Sequence, residues 1–251
     1  MAFKSSIEWT ESTWNPVTGC TKTSPACKNC YAETFAERWR GISGHPFEQG
    51  FDLKLWPQRL GLPLAWKEPR MIFVNSMSDL FHKDVSDSFI DQVFDTMASA
   101  DWHTFQVLTK RSQRFAEWSK NRGRSRWPRN VWAGVSVESQ DYVWRIDNLL
   151  QVPADIQFLS IEPMLGPIRL KKSALRQIKW VIVGGESGPQ ARPMSPDWAR
   201  DVRDQCLEAG VPFFFKQWGV YDSHGRHRSK KASGRVLDGR TWNEMPVLQR
   251  I

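Results

Sequence analysis

Residues 14–31 read WNPVTGCTKTSPACKNCY, a loop carrying Cys20, Cys27 and Cys30 in the spacing Cys-x6-Cys-x2-Cys. Cys27 and Cys30 form a turn-sized chelate, while Gly19 and Pro25 let the chain fold back and present the third thiol. The neighbours Thr21, Lys22, Thr23, Ser24, Lys28 and Asn29 are polar, so the thiols belong to a solvated loop rather than a core. The remaining cysteine, Cys206, stands far away. Clustered thiols in a cytoplasmic chain indicate metal before disulfide. Three thiolates leave one coordination position open. Structural zinc wants four closed ligands, and the candidates for a fourth, His45, His82 and Cys206, have no characteristic spacing. A 4Fe-4S cubane on three cysteines leaves one iron free to take an amino and a carboxylate group. The residues therefore admit an iron-sulfur site, a zinc site or reduced core cysteines, taken in that order.

Outward from the loop, short β-rich runs recur at residues 7–10, 71–75, 105–109, 131–137, 156–161, 180–183 and 211–215. Helical periodicity lies between several of them. Phe89, Ile90, Val93, Phe94 and Met97 share one helical face, as do Val143, Ile146, Leu149 and Leu150. Residues 32–40 read as a helix after the cysteines, and Ser195-Pro196 open another that stops at Gly210. Val202 and Cys206 lie four apart on that last helix, which gives Cys206 a buried packing role. The strand pitch after residue 71 suits βα units. The expectation is one α/β domain over 1–251, a parallel TIM-like βα barrel, partial or complete, with an excursion at 41–70 over its mouth. Active residues then belong at the strand C-termini.

Those ends are polar. Asn75, Ser76, Ser78 and Asp79 follow one run and Lys110 another; Ser136 with Glu138, Ser160 with Glu162, Glu186, and Lys216 with Gln217 follow the rest. Any one acid could be a helix cap or a salt-bridge partner, and lone cations such as Lys110, Arg192 and Lys216 could pair with these acids or hold a carboxylate or phosphate. The set together suggests a polar ligand. Residues 184–188, GGESG, lack the GxGxxG spacing and the lysine of a P-loop, so nucleoside triphosphate hydrolysis has no support.

The net charge of +8, from 35 Lys and Arg against 27 Asp and Glu, is concentrated in two Gly- and Ser-containing segments. Residues 119–129 carry Lys120, Arg122, Arg124, Arg126 and Arg129; residues 225–235 carry Arg226, Arg228, Lys230, Lys231 and Arg235; neither holds an acid. Such segments suit a phosphate backbone, although solvated surface loops look the same. Of 14 tryptophans most must pack, but Trp127 and Trp218 stand beside cations, where an exposed indole could stack on a base. No apolar run approaches the roughly 20 residues that cross a bilayer, and no secretion leader is visible, so a cytoplasmic protein without membrane contact is expected.

Three cysteines after the first strand of a parallel barrel resemble the radical S-adenosylmethionine (SAM) superfamily. Its usual spacing is Cys-x3-Cys-x2-Cys with an aromatic before the last cysteine; here the first gap is six, Asn29 precedes Cys30 and Tyr31 follows it. The set Trp14-Asn15-Pro16, Cys20/Cys27/Cys30, Ser160-Ile161-Glu162-Pro163, residues 184–188 and Lys216-Gln217-Trp218-Gly219 resembles a phage- and bacterium-associated three-Cys-motif family. Among DNA-acting relatives the spore photoproduct lyases are the natural comparison. The resemblance implies a 4Fe-4S cluster on Cys20, Cys27 and Cys30 with SAM on its open iron. It places Asn75, Ser76 and Asp79 at the amino-acid end of SAM and Ser136 with Glu138 at the ribose, with Lys110, Glu162 and Glu186 as further cofactor contacts. Gly184-Gly185-Glu186 reads like the superfamily's GGE motif, though after the sixth strand rather than the second. The expected function is a monomeric radical SAM enzyme, served by an external electron donor, that repairs a DNA lesion or modifies a base in DNA or RNA through a 5'-deoxyadenosyl radical. Nucleic acid would meet Lys120, Arg122, Arg124, Arg126, Arg192, Lys216, Trp218, Arg226, Arg228, Lys230 and Lys231. The rival from another class is a zinc- or cluster-stabilised nucleic-acid-binding accessory protein without turnover.

Overall fold

The computed structural model describes residues 5–122 and 127–247. Along these residues β1 (Ser12–Trp14), β2 (Val17–Thr18), α1 (Tyr31–Glu37), β3 (Lys54–Leu55), β4 (Met71–Val74), α2 (Asp87–Ser99) and β5 (Thr104–Thr109) come first. Then follow α3 (Ser112–Arg122), β6 (Val131–Ser136), α4 (Trp144–Leu149), β7 (Gln157–Ile161), α5 (Lys172–Leu175) and β8 (Trp180–Gly184). The chain continues through α6 (Pro196–Ala209), β9 (Phe213–Gln217), α7 (Lys230–Ser233), β10 (Val236–Leu237) and β11 (Arg240–Thr241). The principal sheet has the order β1-β4-β5-β6-β7-β8-β9. The neighbours β1/β4, β4/β5, β7/β8 and β8/β9 run parallel. This is the expected α/β class, a partial TIM-like βα barrel. Strands of such a sheet are covered on both faces, which is why β6, β7 and β8 are buried at every residue and read as continuous apolar runs.

By its internal contacts the chain forms two compact units, Met1–Ala133 with Val152–Asp155, and Gly134–Gln151 with Ile156–Ile251, the division falling inside β6. In the first unit α2 begins where the Ser86 hydroxyl accepts from the Phe89 backbone N–H, and it buries the predicted face of Phe89, Ile90, Val93, Phe94 and Met97. Each such side chain contributes on the order of 1.5–3 kcal/mol through removal of apolar surface from water. Phe94 and Phe115 pack with Trp118 and Trp127 in one aromatic cluster. In the second unit α6 buries Ala199, Val202 and Cys206 and ends at Gly210 in the left-handed conformation, φ 67°. Cys206 is fully buried, as its spacing predicts.

Two local expectations are corrected. The first strand lies at Ser12–Trp14 rather than 7–10; residues 7–10 close a turn in which the Thr10 N–H donates to the Ile7 carbonyl. The basic segment expected as a loop from residue 119 begins as helix, because α3 runs to Arg122 on a face of Phe115, Ala116, Trp118 and Ser119. Ser195 occupies the N-cap of α6 with Pro196 in its first turn, as expected, and its hydroxyl makes no capping bond.

Candidate metal centre

The cysteine loop is built within the first unit. Its start is tied to the turn after β4: the Gly19 N–H donates to the Met77 carbonyl at 3.0 Å, and the Ser78 hydroxyl to the Val17 carbonyl at 2.8 Å. The excursion supplies the other wall. β3 pairs antiparallel with β2, the Cys20 N–H donates to the Phe51 carbonyl at 3.2 Å, and the Trp14 indole donates to the Arg59 carbonyl at 2.8 Å. Gly19 has φ +81°, and a β-carbon there would stand 2.2 Å from the Asp52 carbonyl oxygen. Only glycine meets both conditions.

Cys20, Cys27 and Cys30 are free and half-buried. Burial and then Asp79 push the Cys20 thiol up to about 11, against the opposing pull of Arg111. Burial raises Cys30 too, opposed by hydrogen bonds from the backbone of Glu33 and Ala32 at the start of α1 and by Lys110. Burial also acts on Cys27, but there the backbone of Thr23 and Ser24 together with the Lys110 charge prevail and hold the thiol below its ordinary value. Cys27 acts electrostatically on both Cys20 and Cys30, so the three sulfurs share one neighbourhood with Lys110 and Arg111. Among the described residues no three His, Cys, Asp or Glu side chains are close enough to grip one metal ion. Three free thiol donors flanked by Lys110 and Arg111 match the ligand type and charge that an iron-sulfur cluster requires.

Around this loop lies a network that sequence reasoning recognised only in part. Asp79, buried, accepts from the Thr109 hydroxyl at 2.7 Å and the Phe81 N–H at 3.0 Å. It also accepts from the Lys110 N–H at 3.1 Å and the Arg111 guanidinium at 3.1 Å. Asp79 thus organises the end of β5 rather than presenting an unengaged carboxylate. Arg111, which sequence reasoning missed although it directly follows Lys110, donates to Cys20 Sγ at 3.4 Å and to the Thr21 carbonyl at 2.9 Å. Asn75 is buried at φ +60°; its Oδ1 accepts from the Val17 N–H at 3.4 Å, and its Nδ2 has no partner among the described residues. Ser76 hydrogen-bonds Asn15, and its carbonyl accepts from the hydroxyl of Tyr31, the aromatic after the last cysteine.

The second unit holds a separate set. Glu138, fully buried, pairs with Arg145 at 2.7 Å, and the same guanidinium donates to the Ser136 carbonyl at 2.9 Å. Glu162 accepts from Lys216 at 2.6 Å, and Gln217, also near Glu162, donates to the Ser187 hydroxyl at 2.9 Å. Glu186 accepts from the Arg192 backbone N–H and its Nε, both at 2.8 Å. Arg192 and Lys216 therefore sit in the ion pairs with strand-end acids that the sequence offered as the alternative to phosphate binding. Gly185 and Gly219 allow the turns after β8 and β9 to touch, since a β-carbon on Gly185 would lie 1.9 Å from the Trp218 carbonyl oxygen.

The basic segments divide. Lys120 is exposed at the end of α3, whereas Arg122 is paired with Asp91 at 3.0 Å and Asp95 at 2.6 Å. Arg124 and Arg126 lie outside the described residues. Arg226 and Arg228 share Asp222 at 2.9 and 3.2 Å, and Lys230 and Lys231 are exposed in the first turn of α7. The expectation of exposed indoles is corrected. Trp127 and Trp218 are 8% and 3% exposed, their N–H groups donating to the Val131 and Val236 carbonyls at 3.1 and 2.8 Å. Ring area of this size is better satisfied by packing than by water.

Fold and loop together define an α/β protein with a partial βα barrel and three free thiols after its first strand. The chain belongs to the family described as "Protein of unknown function (DUF5131)", whose model matches residues 4–246. That match lends no support to the three-Cys-motif family suggested by the sequence. No curated protein is similar to the chain. Among solved structures, a cysteine-to-serine mutant of spore photoproduct lyase matches with TM-score 0.52 and 10% identity, over 86% of this chain and 79% of that one. A tyrosine-to-phenylalanine mutant matches with TM-score 0.50 and 8% identity, over 80% and 75%. A mutant with bound AdoMet and dinucleoside spore photoproduct matches with TM-score 0.47 and 11% identity, over 78% and 61%. The chain spans 59% of the lyase structure complexed with dinucleoside spore photoproduct and up to 79% of the others named. At such identity the two matches with TM-scores of 0.52 and 0.50 establish the fold alone.

Proposed function

We propose that this protein is a radical SAM enzyme acting on nucleic acid, either reversing a DNA lesion in the manner of a photoproduct lyase or modifying a base. The observation that carries the reading is the cysteine loop itself: three free, half-buried thiols directly after β1 of a partial βα barrel, with Lys110 and Arg111 beside them. When bound there, a 4Fe-4S cluster supplies the electron that cleaves SAM to a 5'-deoxyadenosyl radical. Cys20, Cys27 and Cys30 would hold it. Lys110 and Arg111 would offset the negative charge of the thiolates. Asn75, with its unpartnered amide, and Ser76 would meet the amino-acid end of SAM. Within the second unit, Ser136, Glu138, Glu162 and Glu186 are the acceptors offered to a polar ligand. Lys120, Lys230 and Lys231 are exposed cations offered to phosphates, beside the exposed but Asp222-paired Arg226 and Arg228, and a target base would be unstacked to reach the chemistry. The electron comes from an external donor, and the working unit is a monomer.

Anaerobic purification should yield a brown protein with about four irons per chain, as a cubane requires. Dithionite with SAM should then release 5'-deoxyadenosine. A colourless chain with one zinc overturns this reading in favour of a non-catalytic nucleic-acid-binding protein, a rival favoured by the engagement of Glu138, Glu162 and Glu186 in ion pairs.

A further inference from the structure

We propose that Arg111 is a positioning residue that fixes Cys20 and sets the electron affinity of the cluster, a role resting on the proposed function above. Nη1 of Arg111 is shared between Cys20 Sγ at 3.4 Å and Asp79 Oδ2 at 3.1 Å. Nη2 donates to the Thr21 carbonyl at 2.9 Å and the Thr21 hydroxyl at 3.1 Å. The residue's own N–H donates to the Thr109 hydroxyl at 2.8 Å, and that hydroxyl in turn donates to Asp79. The guanidinium is thus tied to Cys20 and to Thr21, the residue after it, while the Arg111 backbone and its counter-ion Asp79 are joined through Thr109. A side chain held in this way cannot swing out to meet an incoming ligand, but it holds a cation against one sulfur.

The direction of the effect follows from charge. One electron passes from reductant to cluster with no bond made or broken, so the reduced cluster carries one more negative charge than the oxidised one. A cation and an N–H donor at a ligating sulfur stabilise the more negative state, and such outer contacts are a principal means of tuning these centres. Asp79 works against Arg111. It neutralises part of the guanidinium charge while orienting it, so the two residues pull the potential in opposite directions. Lys110 adds positive charge near Cys27 and Cys30, leaving Arg111 as the cation at Cys20.

The test is an anaerobic potentiometric titration of the reconstituted full chain, followed by the spectrum of the reduced cluster, with iron analysis on every sample. Arg111→Gln should keep its irons and lower the reduced-to-oxidised ratio at a fixed poise at least tenfold, a shift of about 59 mV for one electron. Arg111→Lys, which retains the charge, should recover part of that shift. Asp79→Asn should move the potential upward. Unchanged potentials in Arg111→Gln and Asp79→Asn at full iron content overturn the proposal, as does loss of iron in both Arg111 variants, which would make the residue purely structural. A wild-type chain that takes up no iron removes the proposed function as well, and iron analysis distinguishes that failure from the other two.

Discussion

Gly19→Ala and Gly41→Ala form a matched pair that isolates how the cysteine loop is held. Both glycines have left-handed backbone, φ +81° and +79°. A β-carbon on Gly41 meets nothing within 4 Å, whereas on Gly19 it would stand 2.2 Å from the Asp52 carbonyl oxygen and 2.7 Å from that of Phe51. Left-handed geometry costs an alanine about 1–2 kcal/mol, offset by about 0.4–1 kcal/mol from the smaller unfolded-state entropy. Gly41→Ala should therefore lose about 0–1.6 kcal/mol. Gly19→Ala bears the same terms and must also displace backbone, because the obstructing atoms are carbonyls rather than flexible side-chain ends. Overpacking of that kind adds about 1–3 kcal/mol. Urea unfolding of the two variants under identical conditions measures the difference directly. Iron uptake should fall in Gly19→Ala and stay normal in Gly41→Ala, since Cys20 donates its N–H to Phe51 in the same wall. Equal stability losses within about 0.5 kcal/mol, with equal iron content, would refute the claim that the excursion shapes the metal loop.

Serine substitution at Cys20, Cys27 or Cys30 should each abolish most iron binding, while Cys206→Ser retains iron but loses about 1–3 kcal/mol for an uncompensated hydroxyl in the core, as read by iron analysis and denaturant melts. His103 is buried, donating from Nε2 to the Pro63 carbonyl and accepting at Nδ1 from the Arg70 N–H; burial lowers its pKa from the ordinary 6.5. The unfolded chain then binds the proton first, so stability is full above pH 6.5 and declines as pH falls below it; unfolding at pH 7.5 and 5.5 should show this, with a smaller difference in His103→Gln. Replacing Lys230 and Lys231 with alanine should weaken nucleic-acid binding and reduce the salt slope by about 0.9 for each duplex phosphate that is no longer neutralised; an unchanged slope in a binding titration against salt would remove these lysines from the interface.

The strands β4 to β9 were legible because each is a run of apolar residues long enough to show its character, and α2 and α6 because their apolar faces repeat at the helical period. β1 was not. Three residues, Ser12, Thr13 and Trp14, carry no periodic signal, and their strand exists through pairing with Ile72, Phe73 and Val74. α3 was hidden for a related reason, since its charged end resembles a loop until Phe115 and Trp118 are buried against Phe81 and Phe94.

The three cysteines are a local pattern: their spacing, the glycine before them and the polar residues between them are properties of contiguous chain. The partners of that pattern are not local. Arg111 meets Cys20 across 91 positions, Asp79 meets Thr109 across 30, and Lys216 meets Glu162 across 54. A charged side chain at the end of a strand reads the same in sequence whether it faces a ligand or another side chain. Desolvation in the folded chain forces the pairing, because a buried charge without a partner costs several kcal/mol. Sequence alone therefore determined the thiol set and the βα alternation, and tertiary structure decided which strand-end charges neutralise one another and which cation stands against Cys20.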